Sequence, residues 1–338
     1  MKKPNLVRLA RPYQQGFSLV ELMVAMTIGF IVVAAVGYIY LSSRQSFRMT
    51  DSMSRMQENA RLGIETLARD VRMAGYVGCI NLQSGATSVY TIAKPPVPAV
   101  SPATAIMGQD FTAVTPAFAG TTITRIAGDT VSVMGAFGGG VGLTGNLEPN
   151  NANVKINGNP YGFASDDVLV VADCKNADIF RATGVASASG QITISHASST
   201  NISNNVGSYG PDGFVFKMEQ YTYFIGTNPA GKRALYRTSL TEGTAELVED
   251  VWDMQIEYGQ DTNGDGAANT YVDATAIGAN WAQVVSARIS LLLASPENNI
   301  VPSVQTYNFN GAAVTAAAGD RRLFQVLGTT IAVRNRAP

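Results

Sequence analysis

At 338 residues, with a formal net charge of −1, one histidine and two cysteines, the chain has room for one elaborated domain or two. It lacks the makings of a polybasic nucleic-acid binder, a metal-rich scaffold or a charged disordered tail. Apolar residues make up 46% and charged residues 14%, enough to bury a sizeable core. The charge is unevenly placed: four of the 24 basic side chains, Lys2, Lys3, Arg8 and Arg11, lie in residues 1–16 with no acid. The remainder therefore carries 20 basic against 25 acidic groups, a sign that disfavours nucleic acid as a partner.

The first element in chain order is the stretch GFSLVELMVAMTIGFIVVAAVGYIYL, residues 16–41. After Gly16 it holds one charged side chain, Glu21. Residues 22–41 would span about 30 Å as a helix, the thickness of a bilayer core. The basic flank on their N-terminal side keeps that end in the cytoplasm and sends the bulk of the chain across. An ordinary secretory signal has its small-residue cleavage site after the apolar run. Here the small residue precedes it.

A short basic leader followed by G-F-S-L-V-E-L-M-V-A-M resembles the class III signal of type IV pilins and related pseudopilins. The resemblance implies that a membrane peptidase cuts after Gly16 and methylates the new N-terminus, Phe17. Glu21 then becomes the fifth mature residue. A carboxylate at the centre of a membrane helix costs about 2.5–3.5 kcal/mol, less near an end. The Phe17 amine of a neighbouring parallel helix could offset that cost, making Glu21 a register pin for assembly.

The helix is expected to continue past the membrane. Met49, Met53, Met56, Ala60, Ile64, Leu67, Val71 and Ala74 recur at steps of three and four. Arg44, Arg48, Arg55, Glu58, Arg61, Glu65, Arg69 and Asp70 fill the other faces. Gly75 is the expected C-terminal stop. Residues 1–16 thus read as a cytoplasmic leader, 17–41 as the transmembrane part, 42–75 as an amphipathic continuation and 76–338 as a periplasmic β-rich domain.

After Gly75 the pattern turns to strands, expected over 121–134, 166–174, 191–195, 214–225, 233–239, 251–259, 283–295 and 329–335, with 321–328 as a lead-in. Several alternate, favouring an antiparallel sheet with one face on the helix. Polar or glycine-rich tracts around 84–120, 135–160 and 196–213 read as surface loops or inserts.

Cys79 and Cys174 face an oxidising compartment and are expected to pair, tying helix to sheet. DTNGDGAANTYVD, from Asp261, places Asp261, Asn263 and Asp265 at alternate positions before Gly266. That resembles the first half of a calcium loop. Position twelve is Val272 where a glutamate belongs, Asp273 follows one place later, and an Asn/Asp/Gly hairpin turn is the alternative. GVGLTG (140–145) matches a dinucleotide fingerprint by letters but precedes no helix. His196 sits in a polar tract, where solvation is expected, and no nucleophile–base arrangement is apparent, so an enzyme is not expected.

RMQENARLGIETLARDVRMAGYVGC (55–79), the aspartate-rich loop after MQIEYG, VVSARISLLLAS and the closing TTIAVRNR resemble PilW-type minor pilins of type IVa systems. The resemblance implies an α+β pilin-like fold, a long N-terminal helix packed on an antiparallel sheet with loop inserts. It further implies residence in the inner membrane before assembly and in the extracellular pilus afterwards, with pilus priming, a place near the tip, and roles in adhesion and twitching motility. The implied partners are other minor pilins, the major pilin, a PilY-type tip adhesin, the prepilin peptidase and the inner-membrane assembly platform. A J-type pseudopilin of a type II secretion system shares the same leader, helix and sheet, and a membrane-anchored binding module is the alternative of a different class.

Overall fold

The computed structural model describes residues 16–80, 88–95, 97, 101–112, 121–188, 190–239 and 241–336. The expected leader, apart from Gly16, and parts of the 84–120 tract lie outside the described residues. The chain divides into two units, Met1–Asp51 and Ser52–Pro338. In the first, every described side chain is exposed. These residues open helix α1 (Leu19–Arg72), which is long and apolar enough to cross a membrane. A helix apolar all round is one that another apolar phase covers.

In the second unit α1 turns Ser52, Met56, Ala60, Gly63, Leu67, Asp70 and Val71 inward. The buried stripe passes through Ser52 and Gly63 rather than Met53, which is 38% exposed. It also takes in Asp70, expected on the solvent side. The helix stops where expected: Gly75 adopts φ 75°, the left-handed cap open to glycine. Its N–H donates to the Met134 carbonyl at 2.7 Å, and Ala136 N–H donates to Tyr76 O at 2.6 Å.

The chain then forms β1 (Ser88–Thr91), β2 (Ile106–Gln109), β3 (Arg125–Gly142), β4 (Asn153–Ile156), β5 (Val168–Ala172), β6 (Asn176–Arg181), β7 (Gly184–Ala188), β8 (Gln191–Ser195), β9 (Phe214–Thr227), β10 (Arg233–Ser239), β11 (Gly243–Glu249) and β12 (Val251–Gln260). β13 (Thr270–Val272) leads into the single-turn α2 (Ala274–Ile277). After it come β14 (Val284–Ala294), β15 (Thr306–Phe309), β16 (Ala312–Thr315) and β17 (Phe324–Ala332). The architecture is α+β. The largest sheet runs β1-β6-β5-β9-β10-β11, with β3 also pairing β9 and β2 pairing β3; β1–β6 is its one parallel pair. The second sheet is antiparallel, in the order β13-β12-β14-β17.

One hydrophobic core joins α1 to both sheets. At its centre Gly63 lets the helix approach closely: a Cβ there would meet Leu291 of β14 at 3.3 Å, Leu235 of β10 at 3.6 Å and Val248 of β11 at 3.7 Å. Full burial of each leucine or methionine in this core contributes about 1.5–3 kcal/mol.

β3 overturns one expectation. It runs on through 135–142, which composition reads as loop, and pairs β9 as far as Gly142. These glycines answer close approach rather than looseness. A Cβ on Gly135 would meet Met73 O at 3.0 Å, and one on Gly140 would meet the Phe216 ring at 2.4 Å. GVGLTG therefore lies at a strand end. Within the 135–160 tract β4 also forms and pairs β8 in a three-stranded sheet β4-β8-β7 over its own core, while 196–213 stays a connection pinned by the isolated bridges Ala93–Asn201 and Leu147–Tyr209.

Buried polar groups hold that insert. Asn201, fully buried, accepts from Arg181 N–H and donates to Arg181 O and Ala197 O. Tyr209 O–H and Gly207 N–H both donate to Asp178 at 2.6 Å. His196, expected in solvent, is fully buried, its ring centroid 5.1 Å from that of Phe180, with neither ring nitrogen hydrogen-bonded.

The helix is keyed to the largest sheet by charge as well as packing. Asp70, 1% exposed, accepts from Tyr223 O–H at 2.5 Å and pairs with Arg237 at 3.5 Å and Arg69 at 3.0 Å. Burial pushes the Tyr223 phenol up, so it remains a donor. Asp70→Ala would leave Arg237 short of its buried partner and should cost about 3–5 kcal/mol. Tyr223→Phe should cost about 1–3 kcal/mol. Urea midpoints report both, and a neutral Asp70→Ala would remove the keying role.

Burial holds the His196 pKa below its usual range. The unfolded chain then takes up this proton first. The neutral ring's contribution is therefore complete above about pH 6.5 and is lost as pH falls through that value. Part of the stability decline below pH 6.5 should vanish in His196→Leu; an identical acid limb in the variant would clear the ring of that role.

Candidate functional site

The predicted processing site lies at the exposed start of the chain's described residues. Phe17 is 90% exposed and nothing crowds Gly16. Both precede the helical backbone of α1. Ser18 and Glu21 form a capping box. Ser18 N–H donates to Glu21 Oε2 at 3.0 Å, and Glu21 N–H donates to Ser18 Oγ at 3.1 Å. This satisfies two orphan amide groups of the first turn and sets a negative charge at the positive end of the helix. The S-x-x-E spacing is legible in the sequence, yet the reading of Glu21 as an intermolecular pin alone passes over it.

Cys79 and Cys174 are bonded, with Cα atoms 4.9 Å apart and a sequence separation of 95. The bond fastens the chain just beyond α1 to the turn between β5 and β6. Beside it Gly78 adopts φ 84°, and a Cβ there would press on Ala172 and Phe216. Closing so long a loop stabilises by about 4–5 kcal/mol on the chain-entropy picture.

The aspartate-rich segment is the loop of the β12–β13 hairpin, where Gln260 pairs with Thr270. Asp261 accepts from the amides of Asn263, Gly264 and Gly266. These bonds, the one from Gly266 first, hold its carboxyl below the usual range. Gly264 and Gly266, at φ 79° and 83°, turn those amides inward. Asp265 accepts from Ala267 N–H and from the Asn263 side chain. Val272 lies in β13, and Asp273 caps α2 by accepting from Ala276 N–H. Each carboxylate is thus engaged by the chain's own donors. No group of three or more His, Cys, Asp or Glu side chains able to hold a metal occurs among the described residues.

An acidic cleft of about 500 Å³ escaped the sequence reading. Asp110, Asp129, Asp253, Glu257 and Asp273 line it beside Phe111 and Tyr271. These acids are spread over 164 positions of sequence and no local pattern announces them. Burial pushes the Asp129 carboxyl up to about 6. It accepts from Phe111 N–H and Ile256 N–H, while Asp110 accepts from Ala274 and Thr275. The acids therefore knit β2, β3, β12 and α2 together.

Residues 222–335 match the family model described as type IV pilus-assembly protein W, and residues 11–37 match the prokaryotic N-terminal methylation motif. Together these matches support a PilW-like type IV pilus minor pilin. No curated protein and no solved structure matches the chain. The PilW match runs from the later part of β9 through β17 and so contains the whole second sheet. The insert sheet, His196 and both cysteines lie outside both matches. In this PilW-like chain the disulfide accordingly fastens an unmatched part to the end of the helix. Cys174→Ser should lower stability by about 4–5 kcal/mol, read from denaturant midpoints, and non-reducing peptide maps of the parent should give one linked pair, Cys79–Cys174. Two free thiols in exported protein would refute the pairing.

Proposed function

We propose that this PilW-like chain primes type IV pilus assembly and is incorporated near the pilus tip, where it helps display a PilY-type adhesin and so supports adhesion and twitching motility. The observation that carries the reading is the N-terminal arrangement. An accessible Gly16–Phe17 bond precedes a 54-residue helix whose first half has no cover from its own chain. Before assembly, the bilayer covers that half, with the basic leader on the cytoplasmic side and the sheets in the periplasm. In the filament, helices of other minor pilins and the major pilin take the bilayer's place. Cleavage after Gly16 by the prepilin peptidase frees the Phe17 amine. The assembly platform then passes the helix from lipid into the bundle.

Glu21 has two tasks in this scheme. Within the chain it caps α1 through Ser18. Between chains, its carboxylate meets a neighbour's Phe17 amine and sets the register, which lowers the cost of a lone acid at membrane depth.

Two substitutions separate the tasks, because glutamine retains the acceptor for Ser18 N–H but carries no charge. Glu21→Gln and Glu21→Ala should both be cleaved after Gly16 and oxidised at Cys79–Cys174, yet both should be several-fold depleted from sheared filaments. Recovery of Glu21→Gln to the parent level would leave Glu21 with capping alone. Absence of the unaltered chain from filaments would overturn the pilin reading.

A further inference from the structure

Strand β17 ends the second sheet. It pairs with β14 along all nine of its residues without a register shift, and with no other strand. In an antiparallel ladder a residue's N–H and C=O point the same way, and the direction alternates along the strand. One residue sets the phase. Phe324 N–H donates to Gln305 Oε1 at 2.9 Å, and Gln305 Nε2 donates to Phe324 O at 2.9 Å. Both backbone groups of Phe324 therefore point away from β14, and so do those of Val326, Gly328, Thr330 and Ala332. Val333, of the other phase, donates back to Val285 O.

Beyond Phe324 the outer edge is open. Among the described residues no donor or acceptor engages the outward groups of Val326, Gly328 or Thr330, and Gly328, Thr330 and Ala332 are exposed. Edges of this kind are normally blunted by charge, proline, a bulge or shortness. β17 has none of these: FQVLGTTIA carries no charge and no proline. The other edges do. β13 has three residues, and β11 carries Glu246 and Glu249 opposite a register shift in β10.

We propose that the outer edge of β17 is a strand-docking site that accepts an extended segment of a neighbouring filament subunit. The chemistry is already present at one position. The Gln305 side-chain amide meets Phe324 as a peptide group of an added strand would, so the next partners in line are further peptide groups. An added strand would lie on one face beside Leu327 and Ile331, which belong to the main core and its margin. On the other it would lie beside Gly328 and Thr330, which themselves bring neither bulk nor charge; Arg288, across from Thr330 on β14, is engaged by Glu257 at 2.8 Å and lies over the Tyr271 ring. The fitting segment is thus extended, neutral and alternating, with its apolar side chains on the Leu327 face. The edge is a property of the chain itself; that the segment belongs to a filament subunit rests on the proposed pilin function.

The test uses the full-length chain in cells that assemble filaments. Thr330→Pro removes one outward N–H and leaves the β14 ladder intact. Thr330→Lys keeps that N–H and sets a charge on the edge. Both should equal the parent in yield, in cleavage after Gly16 and in the Cys79–Cys174 bond, while their recovery in sheared filaments falls at least fivefold. Should Thr330→Pro lower the yield, Thr330→Lys decides. In the parent, amide deuterium exchange across 324–332 should slow at least tenfold in filaments relative to detergent-extracted protein. Parent-level recovery of Thr330→Lys, or unchanged exchange, overturns strand docking and leaves the pilin reading standing. Absence of the parent from filaments overturns both.

Discussion

The buried carboxylate of Asp70 is the constraint on which the second unit turns. An acid side chain at 1% exposure is tolerable only where partners meet it. Tyr223 and Arg237 meet it from adjacent strands of the largest sheet. That requirement sets the rotation of α1 about its axis, and with it which residues reach the core. One turn or two earlier, Leu67 and Gly63 then fall over the place where β10, β11 and β14 converge. Packing alone tolerates small rotations of an apolar stripe. A buried charge with three partners does not.

The exit from α1 carries the same order into the rest of the unit. Gly75 turns the chain in the left-handed region, and residues 75–76 exchange hydrogen bonds with Met134 and Ala136 of β3. Cys79 then fastens the chain to the β5–β6 turn. From β3 the order passes to β9, against which β5 and β10 also pair. The insert sheet depends on a different device. Its long connections are held by Asn201 and by Asp178 with Tyr209, side chains that replace missing ladder partners. This explains how tracts with the composition of loops can be well packed.

A division of labour follows. The first half of α1 is apolar and uncovered, suited to lipid and then to other helices. The second half binds both sheets. The second sheet, which falls wholly within the PilW match, ends in an unguarded edge, while the unmatched β5–β6 turn of the largest sheet is stapled to the chain just beyond the helix. The parts matched by the family are thus those with surfaces left open, and the unmatched part is covalently secured.

What the sequence alone determined is what depends on near neighbours. The order of leader, Gly16, Phe17 and Glu21 is a linear signal. The 3.6-residue period and Gly75 mark the helix and its end, and alternation marks the longer strands. The two cysteines leave one possible pair. The tertiary structure decided what depends on distant partners. Asp70 looks like a surface acid until Tyr223, 153 positions away, supplies its hydrogen bond. Residues 135–142 look like a loop until Met73, Tyr76 and Phe216 crowd their glycines. His196 looks solvated until Phe180 and the insert core close over it. In each case the residue type is compatible with two environments, and only the packing of segments far apart in the chain selects one.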